Sequence, residues 1–598
     1  MLTAVDYGKQ KAYEVTVDIK ATRIASVVEL AGPQPGLTPR DYAIARDVLD
    51  ADPRIKEALV RRGFAIPDRV SQAMRPHFFA VGHDLTLATA SSRLVRVLFS
   101  SDQKAVNRFR PPVDGLMAVL DLYARRVHAL HDVQGAANVH VPHDVFDPAV
   151  RGTRNPGSPV LPVQQQRNFT VVGNSVSWQN WILRFGFNWR EGLVLYQVDY
   201  DEGGKRRPIL YRASLAEVLT AYADPADLLS WMETFDEGAF GLGRLSVAAR
   251  PGREVPANAR TLSVMLPDLG RAGFSDALND RIYVYERDGG SLIQYHQRDI
   301  SLNARATELV IGFIAALGNY TYGFNWVFKQ DGAFTFEVEL AGEILTKFVH
   351  AKECSVCDSI VGGAGPDGEK RSYQPTGDDR YGTFVHPNLV GVSHQHWFSL
   401  RLDFDIDGAR NAVMENNVQR LEMDGSPVDG SKSDRYFTTS HTVFDMARAA
   451  KRDTNHHSAR TWTVFNPQVR RDRRPTGYTI MPGENTETIF PSGRQKGTPA
   501  FTFHHLWVTP YRDGQLFAAG RYPNQATDTY ADTLYSYADD EAVYDRDIVV
   551  WYSLGETHVP RVEDYPVMST AKLSVSFQPD GFFALNPALG LGRVSGTP

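Results

Sequence analysis

Leu317-Gly-Asn-Tyr-Thr-Tyr-Gly-Phe-Asn-Trp (residues 317–326) follows the most apolar run of the chain, Leu309 to Leu317. That run is about half the length of a membrane-spanning helix and breaks into a polar turn, so it is expected to be a buried strand. The residues after the turn are aromatic and punctuated by Gly323, which predicts a second strand. Read by itself, this strand simply carries two tyrosines, Tyr320 and Tyr322, and tyrosine in a strand is usually a packing residue.

The same texture extends on both sides. Short aromatic and β-branched runs recur between Gly, Asp, Asn and Pro from residue 151 to the end. Examples are Ser177-Trp-Gln-Asn-Trp-Ile-Leu-Arg-Phe, Glu191-Gly-Leu-Val-Leu-Tyr-Gln-Val, Phe334-Thr-Phe-Glu-Val-Glu-Leu and Ile548-Val-Val-Trp-Tyr-Ser-Leu. Many short strands with turn signals predict a large antiparallel β-sandwich over 151–598. Residues 151–160 are loop-like. Upstream, Thr38-Pro39 and the following Asp41 to Leu49 carry an N-cap, a proline at the first helical position and helical spacing. A second helix is expected over Pro53 to Arg62, and strands at Phe78-Phe-Ala-Val and Leu94-Val-Arg-Val-Leu-Phe. Residues 37–150 therefore suggest a small α+β domain. Before a Gly-Pro-Gln-Pro-Gly break, Tyr13, Val15, Val17 and Ile19 alternate with polar residues, and Arg23 to Leu30 is the expected hairpin partner. The fold class expected is thus small N-terminal α+β units, 1–36 and 37–150, followed by a large antiparallel β-sandwich.

Bulk properties narrow the function classes. The chain has 598 residues, 42% hydrophobic and 22% charged, with a net charge of −6. No Lys/Arg run suggests nucleic-acid binding. No window of about 18 apolar residues predicts a membrane span, and no signal peptide is visible at the N-terminus, so a cytoplasmic location is expected. Cys354 and Cys357 are the only cysteines. With no second Cys pair to complete a zinc site, they are expected to be two loop thiols, with a local disulfide as the alternative.

Three groups of residues have the types that carry chemistry. His394-Gln395-His396 precedes a strand-like run, and residues i and i+2 of a strand face one side, so both imidazoles can reach one ion. Imidazoles suit Cu(II) or Zn(II), and Cu(II) binds more tightly. A third ligand is needed, with His558, His504-His505 and His456-His457 as candidates. Asp403 and Asp405 flank Phe404, and Asp545 and Asp547 precede His558. That density of carboxylates suits a hard cation such as Ca²⁺, or else a solvated strand edge. Asp236, between aromatic residues in a Gly-rich stretch, is either a turn residue or a desolvated carboxylate of raised pKa that can act as a base.

Asn319-Tyr320-Thr321-Tyr322 resembles the Asn-Tyr-Asp/Glu-Tyr signature of the copper amine oxidase family. Further segments match in order: Phe324 to Gly332; His394-Gln-His-Trp-Phe-Ser-Leu-Arg-Leu-Asp; Leu506-Trp-Val-Thr-Pro-Tyr; Gly520-Arg-Tyr-Pro-Asn-Gln; Val549 to His558; and Pro566-Val-Met. The resemblance implies a copper-containing, topaquinone-type primary amine oxidase that deaminates an amine to an aldehyde and releases ammonia and hydrogen peroxide. It implies that Tyr320 is the topaquinone precursor and that His394, His396 and His558 are the copper(II) ligands. Asp236 would be the base, Tyr222 the hydrogen-bond partner of the quinone, and Asn319 its restraint. Thr234 and Phe235 would line the substrate pocket. Asp403, Asp405 and Asp547, with the carbonyls of Phe404 and Ile548, would hold calcium. It further implies a homodimer, with a primary amine and O₂ as the small-molecule partners.

Three residues depart from the family pattern, and the stretch between Tyr320 and His394 is longer than the family's. Thr321 replaces the acidic residue after the precursor tyrosine, and Ala316 replaces a threonine. Thr234 stands where the family has a bulky aromatic gate, which predicts tolerance of a bulky substrate. Two alternatives accompany the amine oxidase expectation: a copper-binding relative without quinone activity, and the same chemistry applied to an unusual biosynthetic amine.

Overall fold

The computed structural model describes residues 2–83, 91–100, 112–136, 152, 167–226, 228–268, 275–298, 300–361, 372–422, 425–426, 436–472, 474–490, 498–526 and 530–595. The expected boundary at 150/151, and the 151–160 loop apart from Gly152, lie outside them.

The chain begins with a three-stranded antiparallel sheet, Leu2–Asp6, Lys11–Asp18 and Arg23–Leu30. The expected hairpin is present, but its first strand ends at Asp18, and Ile19 projects into solvent from the turn at 88% exposure. Two helices follow, Pro39–Ala51 and Pro53–Arg61. Thr38 caps the first through a reciprocal capping box with Asp41, and Asp52 caps the second by accepting from the Arg54 amide. Their apolar faces pack Ile44, Leu49, Ile55 and Leu59 against a four-stranded antiparallel sheet running Arg75–Ala80, Leu94–Ser100, Pro112–Asp121 and Arg126–Asp132. The fully buried Arg93 ties this unit together. Its guanidinium donates two hydrogen bonds of 2.7 Å to Asp41 and others to the carbonyls of Pro35 and Gly36.

Two large antiparallel sheets make up the rest. One has nine strands, ordered Leu506–Pro510, Ile548–His558, His394–Phe404, Lys205–Tyr222, Gly192–Glu202, Trp181–Asn188, Ser175–Trp178 and Phe169–Val172, with Glu233–Phe235 beside the end of Lys205–Tyr222. The other has twelve and includes the long hairpin Ser275–Gln297 and Ile300–Leu317, then Tyr320–Phe328, Phe334–Gly342 and Met568–Asp580. One continuous apolar core draws on both sheets, which makes them a sandwich. This is the expected fold class. In detail, the run from Ser177 to Phe185 is not one strand. It is a hairpin broken at Gln179-Asn180, where Gln179 takes φ 51°. The cysteines are a second correction, since Cys354 and Cys357 are joined in a disulfide rather than standing as free loop thiols. Among the described residues, no helix is long and apolar enough to cross a membrane.

Candidate functional site

The site is built where the two sheets face each other. Ile300–Leu317 and Tyr320–Phe328 are joined by the two-residue turn Gly318-Asn319, with Leu317 paired to Tyr320. Gly318 has φ 61° and Asn319 does not enter the left-handed region, the pattern of a hairpin turn that needs glycine first. Tyr320 is therefore the first strand residue after the turn. Strand alternation then puts Tyr320, Tyr322 and Phe324 on one face. Opposite them, on the other sheet, lie His394, His396 and Phe398. The ring centroids are 5.5 Å apart for Tyr320–His394, 5.8 Å for Tyr322–His396 and 6.1 Å for Phe324–Phe398. Thr321 points the other way, exposed and in register with Ala316. The two departures nearest Tyr320 are thus cross-strand partners on the face turned away from the histidines.

His394 and His396 alternate on one strand, and His558 is the register partner of His394 on the next. Facing residues of antiparallel strands bring their side chains within reach of each other. One ligand atom from each of the three imidazoles lies within 4.8 Å of the others. The neighbours define which nitrogen each ring offers. His394 Nδ1 is 2.8 Å from the Val392 carbonyl, to which it donates, so Nε2 is left with its lone pair. His396 Nδ1 is 3.0 Å from Tyr322 Oη and 3.3 Å from Thr220 Oγ1, which leaves its Nε2. His558 Nε2 is 3.1 Å from Asp564 Oδ2, which leaves its Nδ1. Burial, reinforced by the neighbouring imidazoles, pushes His394 down to about 3 and His396 well below its ordinary value. Both rings are therefore neutral, as metal ligation requires. Three converging imidazoles, two of them buried and His558 partly exposed, fit a borderline-soft divalent ion such as copper. The Tyr320 hydroxyl is aimed into the same group, 2.7 Å from His394 Nε2.

Asp236 opens the short helix Asp236–Phe240, directly after the strand Glu233–Phe235 that pairs with the end of Lys205–Tyr222. It is buried. Desolvation raises its carboxyl well above the ordinary range, the charge of Glu217 adds to this, and a hydrogen bond from Thr234 acts in the opposite direction. Asp236 is close enough to Tyr222 and Tyr322 to raise both phenols, behind the effect of burial. Asn319 Nδ2 donates to the Glu343 carbonyl at 2.7 Å and lies 3.4 Å from Tyr222 Oη. Tyr222 is the register partner of His394, and their rings are 5.0 Å apart. Phe235 is buried and Thr234 half-buried on the strand leading to Asp236.

The acidic trio lies at the other end of the His394–Phe404 strand. Asp403 is buried and its carboxyl is pushed up to about 7. Desolvation is the main cause, Arg401 opposes it, and Asp547 and Asp405 add to it. Asp405 rises to about 6 through burial and Asp547. Asp547 is exposed at the rim, just before the buried Ile548, and Phe404 is buried between the two aspartates of its strand. The rival histidines stand apart from the metal group. His504 and His505 face Asp453 at 3.0 and 3.4 Å, and His456-His457 form an exposed turn capped by Asn455.

Sequence reasoning missed Thr220, Tyr322, Asp564 and Glu343. The first two had a signal, since each lies two residues from a named site residue on the same strand and so shares its face. Asp564 and Glu343 reach the site through a turn and a backbone carbonyl, which no spacing announces.

A family model described as the copper amine oxidase enzyme domain matches residues 170–594. Histamine oxidase of Arthrobacter globiformis is 31% identical over 599 residues, covering 98% of this chain and 82% of that protein. Copper methylamine oxidase of Arthrobacter sp. (strain P1) is 30% identical over 603 residues, covering 99% and 87%. A solved copper-containing benzylamine oxidase from Hansenula polymorpha shares the fold, with a TM-score of 0.80 at 24% identity over 97% of this chain and 88% of that one.

Proposed function

The chain belongs to the copper amine oxidase family, and from that premise we propose that it converts a primary amine, O₂ and water to an aldehyde, ammonia and hydrogen peroxide, with copper held by His394, His396 and His558 and topaquinone formed from Tyr320. The observation that carries this is the Tyr320 hydroxyl directed at His394 Nε2 within the three-imidazole group. Copper supplies the redox centre for oxidising the Tyr320 ring with O₂, and the quinone supplies the electrophile and electron sink for the amine.

The chain's own residues do the rest. Asp236 takes the substrate Cα proton; its buried carboxylate is a stronger base than a solvated one. The Tyr222 hydroxyl and the Asn319 amide, themselves 3.4 Å apart, orient the ring of residue 320. The Glu343 carbonyl holds the Asn319 amide in place. Thr234 and Phe235 wall the approach to Asp236, and the small Thr234 leaves room for a bulky amine. The core aromatics around Tyr322 and Phe324 keep bulk water from the metal side.

We further propose that Asp403, Asp405 and Asp547, with the carbonyls of Phe404 and Ile548, bind calcium. Support comes from burial of Asp403 and Asp405, with Asp547 raising both and Asp405 raising Asp403, while Arg401 opposes at Asp403. We also propose a homodimer, supported by apolar Tyr295, Ile300 and Val594 exposed at the end of the long hairpin. Light scattering tests the second and metal analysis the first. Enzymatic function is tested by peroxide release across a panel of amines after copper loading. Peroxide from at least one amine, stoichiometric with aldehyde, is expected; none from any amine would favour the copper-binding alternative.

A further inference from the structure

Behind Asp236 lies a buried carboxyl pair with no part in the steps above. Glu217 sits on Lys205–Tyr222 where that strand's pairing with His394–Phe404 shifts register, between Leu215 and Glu217. Such a bulge re-aims the side chain beside it. Glu217 Oε1 accepts from the amides of Val218, Glu237 and Gly238 at 3.1, 3.0 and 3.2 Å, so it caps the turn that begins with Asp236. Glu237 accepts from Arg190 Nε at 3.1 Å. Both residues are fully buried, and among the described residues Oε2 of each has no hydrogen-bond partner. Gly238 makes the approach possible, since a Cβ there would fall 2.4 Å from Pro523 Cγ and 3.1 Å from Glu217 Oε2.

The charges around this group do not balance. Among the described residues, Arg190 is the cation that opposes both Glu217 and Glu237; it also binds the carbonyls of Gly520 and Arg521 and lies over the Phe517 ring. Glu191 contributes another carboxylate, paired with Arg212. Tyr222 and Tyr322 also face Asp236. Desolvation lifts Glu217 to about 7 and Glu237 well above its ordinary range, with Arg190 opposing both. In its charged form the pair places negative charge beside Asp236, and the charge of Glu217 raises both Glu237 and Asp236.

We propose that Glu217 is a positioning residue that sets the basicity of Asp236 through the buried negative charge it shares with Glu237. This rests on Asp236 being the base. When Asp236 accepts the substrate Cα proton its own charge is neutralised and the repulsion from the pair is relieved, so the pair favours proton uptake at that carboxylate and makes it a stronger base.

Two variants separate charge from structure. Glu217→Gln keeps Oε1 as an acceptor for the three amides and removes the charge; Glu217→Asp keeps the charge. In Glu217→Gln the acidic limb of the kcat/KM profile should move about one pH unit lower, while in Glu217→Asp it should stay with the unsubstituted enzyme. Infrared titration of the resting full-length protein supplies a second readout. The protonated-carboxyl band that Asp236→Asn abolishes should titrate about one unit lower in Glu217→Gln. An unmoved limb and an unmoved band in Glu217→Gln, whatever the change in kcat, would overturn the proposal. Failure of the underlying assignment is visible separately, as an Asp236→Asn variant with full turnover, and it removes the proposal with it.

Discussion

Tyr320 Oη and His394 Nε2 stand 2.7 Å apart across the interior of the sandwich, the phenol on one sheet and the imidazole on the other. The contact joins the residue whose ring would be oxidised to the group that would hold the metal. It follows from two local features, a tight turn that makes Tyr320 the first strand residue and an i, i+2 pair of histidines on the facing strand. Thr321 and Ala316 pair on the opposite face of their hairpin, so neither intrudes on this contact.

Removing the base should separate chemistry from cofactor content. Asp236→Asn is expected to lower kcat/KM by about a hundred- to ten-thousand-fold, while phenylhydrazine still titrates the quinone fully. Steady-state kinetics and phenylhydrazine absorbance on the same sample check this.

Asp564 is expected to matter to copper although it is not a ligand. It holds His558 Nε2 at 3.1 Å and so leaves Nδ1 to face the metal that the three imidazoles would bind. Asp564→Asn should weaken copper binding about 10- to 100-fold, as measured by competition with a chelator of known affinity.

Thr234 should govern access. Thr234→Tyr is expected to cut kcat/KM for a branched aryl-alkyl amine by about tenfold or more while sparing a short unbranched amine. Equal effects on both amines would remove the access role.

The N-terminal unit should show acid sensitivity through Asp41. Burial raises its carboxyl, but the charge and hydrogen bonds of Arg93 more than reverse this and hold it below the ordinary range. A depressed folded-state value means that the stabilisation is present above the unfolded value of about 4 and is lost as pH falls through the lower folded value. Asp41→Asn leaves Arg93 buried without its counter-charge and should cost about 3–5 kcal/mol at neutral pH. Thermal unfolding at pH 7 and under acid conditions tests both statements.

Much of this was legible in the residues themselves. The helix after Thr38 announced itself through its cap, and the strands through alternation and turn residues, because those signals are local. The pairing of His394 with His396 was legible for the same reason. Their union with His558 was not, since it depends on the register between two strands more than 140 residues apart in sequence, and only the resemblance pointed to it. Glu217 left no trace in any pattern. It is one glutamate in a strand, and its burial against Glu237 comes from a bulge and a short helix folding back on it. For Cys354 and Cys357 the residues pointed to free loop thiols, and the disulfide came to light only in the fold of the loop.

The most direct test begins with full-length protein produced without copper, to which Cu(II) and air are then added. The account predicts a new visible absorption, reaction with phenylhydrazine, and a mass change confined to the peptide containing Tyr320. A protein that takes up copper yet stays colourless, with Tyr320 unmodified, would contradict it.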